Sequence, residues 1–409
     1  TYGKLRFKAG YVEYDTNSAY TYNDFYSKST DADPIGAYTL EAGAYAQALN
    51  AKSHCYIDDQ EVTDFHCRLL YYPYESTGRG NLLWPHAWPG NALVTSPRVI
   101  VNGTRKDESP FVGTYAHEFT HILGVSDLYC DSSYSIDPVG KWYLMASTDY
   151  NHPQSINAYF KSKFGLTGVS SYGYKDASKV RVITSSGEYL LAPANSQTGT
   201  IAFKFAERDI QVSGTCGINS CPQHGKVNAT FTEDGKEMFF VEYKKKSTSE
   251  LETDYSIPSS GLIIYRVVES YHTKEFGNLY PSMLGDVKFQ VYVLRANGIS
   301  GTEGSAVGVG STFGSVSPNP DINKVITYFD GTNTQIAITN NGYDSDGNAK
   351  VQFTFAEGKD RYSASGTLKV DGKVVDGAQV MVATPSSEGG YNTEIDSGVK
   401  TDENGYFFV

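Results

Sequence analysis

The spacing of hydrophobic residues changes near residue 175 of this 409-residue chain. Before that point, apolar residues at helical spacing predict a helix over residues 39–50, a second helix that ends at Gly124, and a third over 156–164. Strand-like runs lie between these helices. After it, the helical pattern stops, and short runs of β-branched and aromatic residues predict strands. These runs cover residues 179–184, 188–191, 238–243 and 262–268, followed by a meander over 325–355 with turns at 330–331 and 346–347.

A polar stretch separates the last part of the chain from the rest. Residues 357–362 have the composition of a linker, and strand-like runs around a turn at 371–372 begin a small β module after it. We therefore predict three regions, 1–175, 176–357 and 358–409. No apolar run approaches the roughly 18 residues of a transmembrane helix, so no membrane-spanning segment is predicted.

The composition argues against nucleic acid as a partner and favours an extracellular setting. The net charge is −12 and no basic run offsets it, so nucleic-acid binding is not expected. The chain has 32 Tyr and 40 Gly against 34 Lys plus Arg, which is typical of secreted or extracellular proteins rich in β-structure. The five cysteines are an odd number, and Cys216–Cys221 and Cys55–Cys67 are the candidate pairs.

The strongest chemical signal is an H-E-x-x-H-x-x-G-x-x-D motif. His117 and His121 are four residues apart, which places both imidazoles on one helix face, at the spacing that one zinc ion needs. Glu118 can reach a water on the metal without ligating the metal. Gly124 tolerates the left-handed conformation that ends a helix, so the chain can turn back and bring Asp127 as a third ligand.

Zinc held by two histidines and a carboxylate keeps a fourth position open for water, and lowers the pKa of that water to about 7. Glu118 would take the proton of this water and pass it to the leaving amine. The motif therefore predicts zinc-dependent hydrolysis of a peptide bond. The alternative is a buried helix whose histidines make ordinary hydrogen bonds, and the correctly spaced Gly124 and Asp127 argue against it.

A methionine downstream makes a family resemblance specific. Met145 lies 24 residues after His121, within Trp142-Tyr-Leu-Met-Ala-Ser147. This arrangement resembles the metzincin metallopeptidases, in which a methionine-containing turn forms a floor beneath the zinc. An aspartate as third ligand, followed by Leu128-Tyr129, resembles the immune inhibitor A family of secreted bacterial peptidases. Shorter similarities, within roughly residues 1–355, lie at 2–5, 83–86, 157–159, 242–243 and 261–265.

The resemblance implies a fold and an activity. It implies an α/β (α+β) metzincin-like zinc peptidase domain over 1–175, whose first strand would precede Thr1, and all-β segments after it. Region 176–357 would continue the peptidase unit, and 358–409 resembles part of a carboxypeptidase regulatory-like β-sandwich. The implied protein is a secreted or cell-surface zinc endopeptidase that cleaves extracellular proteins or glycoproteins, with surface attachment through sequence beyond Val409.

Some residues have two interpretations. Tyr143 or Tyr150 could donate a hydrogen bond to the oxyanion, although a packed tyrosine is the default for either. His86 could line the cleft, and a structural histidine is at least as common a role for it. Asp344, Asp346 and Asn348 could bind a structural Ca²⁺ through their oxygens, although a polar hairpin turn is the more common explanation of such residues.

Two other functions compete with the peptidase. One is a cell-surface or matrix-binding protein with a degenerate peptidase domain, which the β-rich appendages favour. The intact set of His117, Glu118, His121, Asp127 and Met145 argues against it. The other is a zinc amidase acting on glycan-linked amides, since the same zinc chemistry serves both reactions.

Overall fold

A computed structural model describes most of the chain from Val112 onward, and only the backbone of seven short strands before it. The gaps after Val112 are residues 131–136, 148, 150–151, 164–178, 217–228, 251, 280–283, 285, 297–304, 318–319, 322–323, 358–364, 383–394, 402–405 and 409. The predicted helix over 39–50 lies outside the described residues.

The strands before Val112 form three small sheets. Strands β1 and β2 are antiparallel, as are β6 and β7. In the third sheet, β5 lies between β3, to which it is parallel, and β4, to which it is antiparallel. Their bounds are Tyr56–Ile57 (β1), Gln60–Glu61 (β2), Arg68–Tyr72 (β3), His86–Trp88 (β4), Asn91–Thr95 (β5), Val99–Val101 (β6) and Thr104–Lys106 (β7).

Three α-helices are found among the described residues. Helix α1 spans Val112–Ile122, α2 spans Ala158–Lys163 and α3 spans Tyr271–Phe276, with a 3-10 helix at Gly140–Trp142. No helix in this part of the chain is long and apolar enough to cross a membrane, in agreement with the sequence analysis.

Residues 180–355 contribute nine described strands to two larger sheets. Their bounds are Val180–Val182 (β8), Gly187–Leu191 (β9), Ala202–Cys216 (β10), Ala229–Lys244 (β11), Gly261–Glu269 (β12), Val291–Val293 (β13), Thr312–Gly314 (β14), Ile336–Tyr343 (β15) and Ala349–Phe355 (β16). The five-stranded sheet has the order β13-β12-β11-β10-β8, and the four-stranded sheet has the order β14-β15-β16-β9.

The five-stranded sheet supplies much of the hydrophobic core around the α-helices. Strand β8 is parallel to β10, and the other neighbours are antiparallel. Phe240, Ile263 and Tyr265 of this sheet pack in one buried cluster with Trp142 and Tyr159 of the helical segments. Aromatic and β-branched residues favour strands because they fit a pleated, half-buried surface.

The chain divides into two compact units. The larger comprises Thr1–Ile183 with Glu188–Phe353, and the smaller comprises Thr184–Gly187 with Thr354–Val409. Within the smaller unit, the described strands form three antiparallel pairs: Ser365–Thr367 (β17) with Tyr406–Phe408 (β22), Lys369–Val370 (β18) with Lys373–Val374 (β19), and Gln379–Val382 (β20) with Ile395–Lys400 (β21). The predicted regions 1–175, 176–357 and 358–409 stay predictions.

The predicted α/β (α+β) metzincin-like fold class is wrong. Strands account for 39% of the described residues and helices for 13%, which makes the described chain mostly β-sheet. The helical spacing seen at 156–164 yields only the six residues of α2, whereas β10 and β11 run for 15 and 16 residues. An isolated helix of six residues is too short to be stable in water, so α2 depends on the core it packs against, whereas the long strands pair with their neighbours over many residues.

Candidate metal centre

Helix α1 places the two motif histidines on one face. It extends over 11 residues, and His117 and His121 lie about one helical turn apart. The next residues leave the helix through Gly124, whose N–H donates to the carbonyl of His121 at 2.8 Å and whose φ is +90°. This left-handed backbone favours glycine, and it lets the chain return toward the histidines.

The returning chain brings Asp127 between the two imidazoles. Oδ1 of Asp127 lies 3.0 Å from Nε2 of His117 and 3.2 Å from Nε2 of His121. One ligand atom from each residue lies within 4.8 Å of the other two, and no other such group of three or more His, Cys, Asp and Glu occurs in the described part of the chain.

The donor set fits zinc. Tetrahedral Zn²⁺ with metal–ligand distances of 2.0–2.2 Å places its ligand atoms about 3.3–3.6 Å apart. This is slightly more than the 3.0 and 3.2 Å that separate Oδ1 of Asp127 from the two Nε2 atoms. The side chains of His117, His121 and Asp127 are 13%, 20% and 14% exposed, so solvent reaches the cluster.

Backbone carbonyls orient both imidazoles. Nδ1 of His117 lies 3.2 Å from the carbonyl of Leu144, and Nδ1 of His121 lies 2.7 Å from that of Val125. A carbonyl only accepts hydrogen bonds, so each Nδ1 carries a proton. Each Nε2 faces Oδ1 of Asp127 and donates to it when the ring is protonated, and loss of that proton would free the Nε2 lone pair for a metal. Metal-ligating histidines are normally held in this way by a second partner.

Burial and mutual charge shift the pKa values of the cluster. Burial disfavours the charged form of Asp127, but hydrogen bonds from His117 and His121 outweigh it and hold the pKa of this carboxyl far below its usual range. For His121, burial lowers the pKa. The hydrogen bond to Asp127 and the negative charges of Asp127 and Glu118 outweigh burial, so the pKa of His121 is raised overall. The cluster therefore keeps a negative charge on Asp127 at neutral pH.

Glu118 is buried next to the cluster without belonging to the ligand group. Burial raises its pKa to about 7, although the charges of His117 and His121 lower it. Its Oε2 is buried and makes no hydrogen bond to the described residues. A carboxyl group with a pKa near neutrality can both accept and release a proton, and a divalent cation nearby would favour its charged form.

Met145 lies beside the loop that carries Asp127. Its side chain is buried, and its carbonyl accepts a hydrogen bond from the N–H of Leu128 at 2.6 Å. Asp137 holds the turn before it, accepting from the N–H of Gly140 at 2.6 Å and from Oγ of Ser147 at 2.5 Å. Sequence reasoning did not single out Asp137, although an Asp just before a tight turn is a known signal, because its carboxylate accepts from backbone N–H groups two or three residues further on.

The remaining candidate residues lie elsewhere or outside the description. Tyr143 is buried with its ring 4.4 Å from Nζ of Lys244 and 5.5 Å from the ring of Tyr265, the surroundings of a packed core tyrosine. His86 begins β4, but its side chain lies outside the described residues, as does all of Tyr150. Their predicted roles in the cleft stay predictions.

The candidate calcium residues form a hairpin turn between β15 and β16. The carboxylate of Asp344 accepts from the N–H of Asp346 at 2.9 Å, and from the N–H and Nδ2 of Asn348 at 2.8 and 2.9 Å. These hydrogen bonds account for both oxygens of Asp344 within the turn. A Ca²⁺ ion at this place stays a prediction.

Comparison with known proteins adds no assignment. No protein-family model matches the chain, and no curated protein matches it significantly. The resemblance to immune inhibitor A peptidases therefore stays a prediction, and the interpretation of the site rests on the residues themselves.

Proposed function

We propose that this protein is a secreted zinc-dependent endopeptidase. The observation that carries the proposal is the convergence of His117, His121 and Asp127, with Nδ1 of both histidines already engaged by backbone carbonyls. This arrangement leaves three possible ligand atoms within 4.8 Å of one another, together with a buried carboxyl group, that of Glu118.

The four residues have different roles in the proposed reaction. His117, His121 and Asp127 would hold the zinc, which when bound supplies a Lewis acid for water and for the substrate carbonyl. Glu118 takes a proton from the attacking water and delivers it to the nitrogen of the leaving amine. Glu118 is buried and is not one of the candidate ligands, which leaves its carboxyl group available for both transfers. The exposure of the ligand side chains leaves a path for water and substrate.

The proposed substrates are extracellular proteins or glycoproteins. The setting is supported by the composition, which is rich in Tyr and Gly and poor in Lys and Arg. The net charge of −12 would repel the phosphates of nucleic acids, which supports a polypeptide substrate instead.

Metal analysis together with a panel of substrates tests the proposal. Purified chain should contain one zinc, and Asp127→Ala should lose it, whereas Asp346→Ala at the exposed hairpin turn should keep it. The zinc-loaded protein should cleave denatured casein and be inhibited by a chelator. Zinc without cleavage would favour the binding protein, and release of glycan from glycoproteins with intact peptide bonds would favour the amidase.

A further inference from the structure

The end of α3 lies against the loop that carries Asp127. The backbone N–H of Asn278 donates to the carbonyl of Asp127 at 2.7 Å, and Nδ2 of Asn278 donates to the carbonyl of Leu128 at 2.9 Å. Asn278 and Leu128 are 150 residues apart in the chain. The loop that carries Asp127, the third candidate ligand, is therefore held by a segment distant in the chain as well as by its connection to α1.

Asn278 also fastens this loop to the five-stranded sheet. Its side chain is fully buried, and its Nδ2 donates to the carbonyl of Val291 at 2.7 Å while its Oδ1 accepts from the N–H of Val291 at 3.1 Å. Val291 begins β13, the edge strand of that sheet. Both amide protons and the amide oxygen are thus used, which leaves the side chain a single orientation.

Gly277 allows the close approach of the two segments. Its φ is +56°, and a Cβ added at this position would lie 2.3 Å from the carbonyl oxygen of Asp127 and 2.7 Å from Cβ of Ser126. Oγ of Ser126 lies 3.1 and 2.9 Å from the carbonyl oxygens of Lys274 and Glu275, and its single proton is shared between them. The loop therefore satisfies carbonyls that the last turn of α3 leaves unpaired.

Helix α3 is itself firmly held. Ser270 and Thr273 form a capping box at its start. The N–H and Nδ1 of His272 contact the two carboxylate oxygens of Glu233 at 3.0 and 2.9 Å. A short helix anchored in this way can fix the position of a neighbouring loop.

We propose that Gly277 and Asn278 position Asp127 as the third metal ligand, so that zinc affinity depends on the end of α3. This inference rests on the metal centre proposed above. Asp127 lies in a loop, and its carboxylate must stay within reach of two imidazoles that a helix holds in place. Loss of residues that orient a metal ligand typically weakens metal binding ~10–100-fold.

Gly277→Ala is the most direct test, because its methyl group would push on the carbonyl of Asp127. Gly347→Ala is the matched control, since Gly347 also has a left-handed backbone, with φ +81°, and has nothing within 4 Å of the added Cβ. In competition with a chromophoric chelator, Gly277→Ala should raise the Kd for Zn²⁺ by ~10–100-fold. Gly347→Ala should leave the Kd unchanged.

Ser126→Ala and Asn278→Ala separate positioning from general stabilisation. Ser126 is only half-buried, so its variant should fold and bind Zn²⁺ more weakly than the unaltered chain. A structural role would lower Tm equally with and without Zn²⁺. A positioning role reduces the rise in Tm that a given Zn²⁺ concentration produces. The absorption spectrum of Co²⁺ bound to each variant should shift when Asp127 is displaced.

The outcomes distinguish the two proposals. If Asp127→Ala loses zinc while Gly277→Ala and Ser126→Ala bind it as tightly as the unaltered chain, the positioning role is wrong and the metal centre stands. If the unaltered chain binds no Zn²⁺ under any condition, both proposals fail.

Discussion

Nδ1 of His121 lies 2.7 Å from the carbonyl of Val125, four residues further along the chain. The same short loop carries Asp127, so one turn of backbone both orients the second histidine and supplies the carboxylate that is the third candidate ligand. His117 is oriented instead by the carbonyl of Leu144, 27 residues away. In the candidate metal centre, His121 is therefore oriented by its own loop, whereas the orientation of His117 depends on the chain next to Met145.

Glu118→Gln should abolish cleavage while the zinc stays bound. The amide has nearly the same shape as the carboxyl group but cannot take a proton from water, and Glu118 is not among the ligand atoms. Loss of a general base typically costs ~10²–10⁴-fold in rate. Steady-state kinetics with zinc analysis measure this, and Glu250→Gln, at an exposed position, is the control. Activity within tenfold of the unaltered protein would assign the proton transfer to another group.

Met145 should tolerate a change of shape but not a charge. Met145→Leu nearly conserves volume in a buried position, so it should lower the free energy of unfolding by less than ~1.5 kcal/mol and keep most activity. Met145→Asp buries a carboxylate without a partner and should be far more destabilising. Denaturant unfolding of both variants makes the comparison. Equal stability of the two variants would show that the side chain is not buried in solution.

The buried Lys244–Asp254 ion pair should be important for stability. Both side chains are almost fully buried, Nζ lies 3.1 Å from Oδ1, and Nζ also donates to Oγ of Ser155. Asp254→Asn keeps the shape, and Asn tolerates the left-handed backbone of this residue, with φ +66°. Leaving the lysine charge without its partner should cost about 3–5 kcal/mol.

The exposed pair of Lys236 and Asp209 is the control for that change. Its charged atoms lie 3.5 Å apart, and the side chains are 54% and 88% exposed. Asp209→Asn should therefore cost less than ~1 kcal/mol. Chemical denaturation of Asp254→Asn and Asp209→Asn in parallel measures the loss in free energy of unfolding for each. An equal loss in the two variants would contradict the prediction.

Glu269 should make the protein less stable in acid. Burial alone would raise the pKa of this carboxyl, but hydrogen bonds from Lys163, Lys274 and Tyr159 outweigh it and lower the pKa to about 2. A group with a lowered folded-state pKa stabilises the fold above its unfolded-state value, near 4.5, and loses that contribution as pH falls toward 2. Glu269→Gln should flatten the fall in Tm between these pH values. An unchanged slope would mean that other carboxyl groups cause the acid sensitivity.

Sequence patterns predicted the helix and the turn around the candidate metal centre better than they predicted the fold class. The motif spacing predicted the helix that carries His117 and His121, and the glycine turn at Gly124 is found in the structure. The fold class was wrong because family resemblance at a few motifs does not report how the remaining residues pair. The long antiparallel pairing of β10 with β11 depends on how each strand packs against its neighbours in the sheet, which the sequence of one strand does not reveal.

The sequence by itself determined that two imidazoles share one helix face and that the chain can turn back at Gly124, because both depend on local backbone geometry. Only the tertiary structure decided what holds Asp127 in place. The carbonyls of Leu144 and Met145 and the amide of Asn278 meet near this loop through packing of segments distant in the chain. Such contacts leave no periodic signal, since they depend on how helices and strands pack rather than on the spacing of residues within one element.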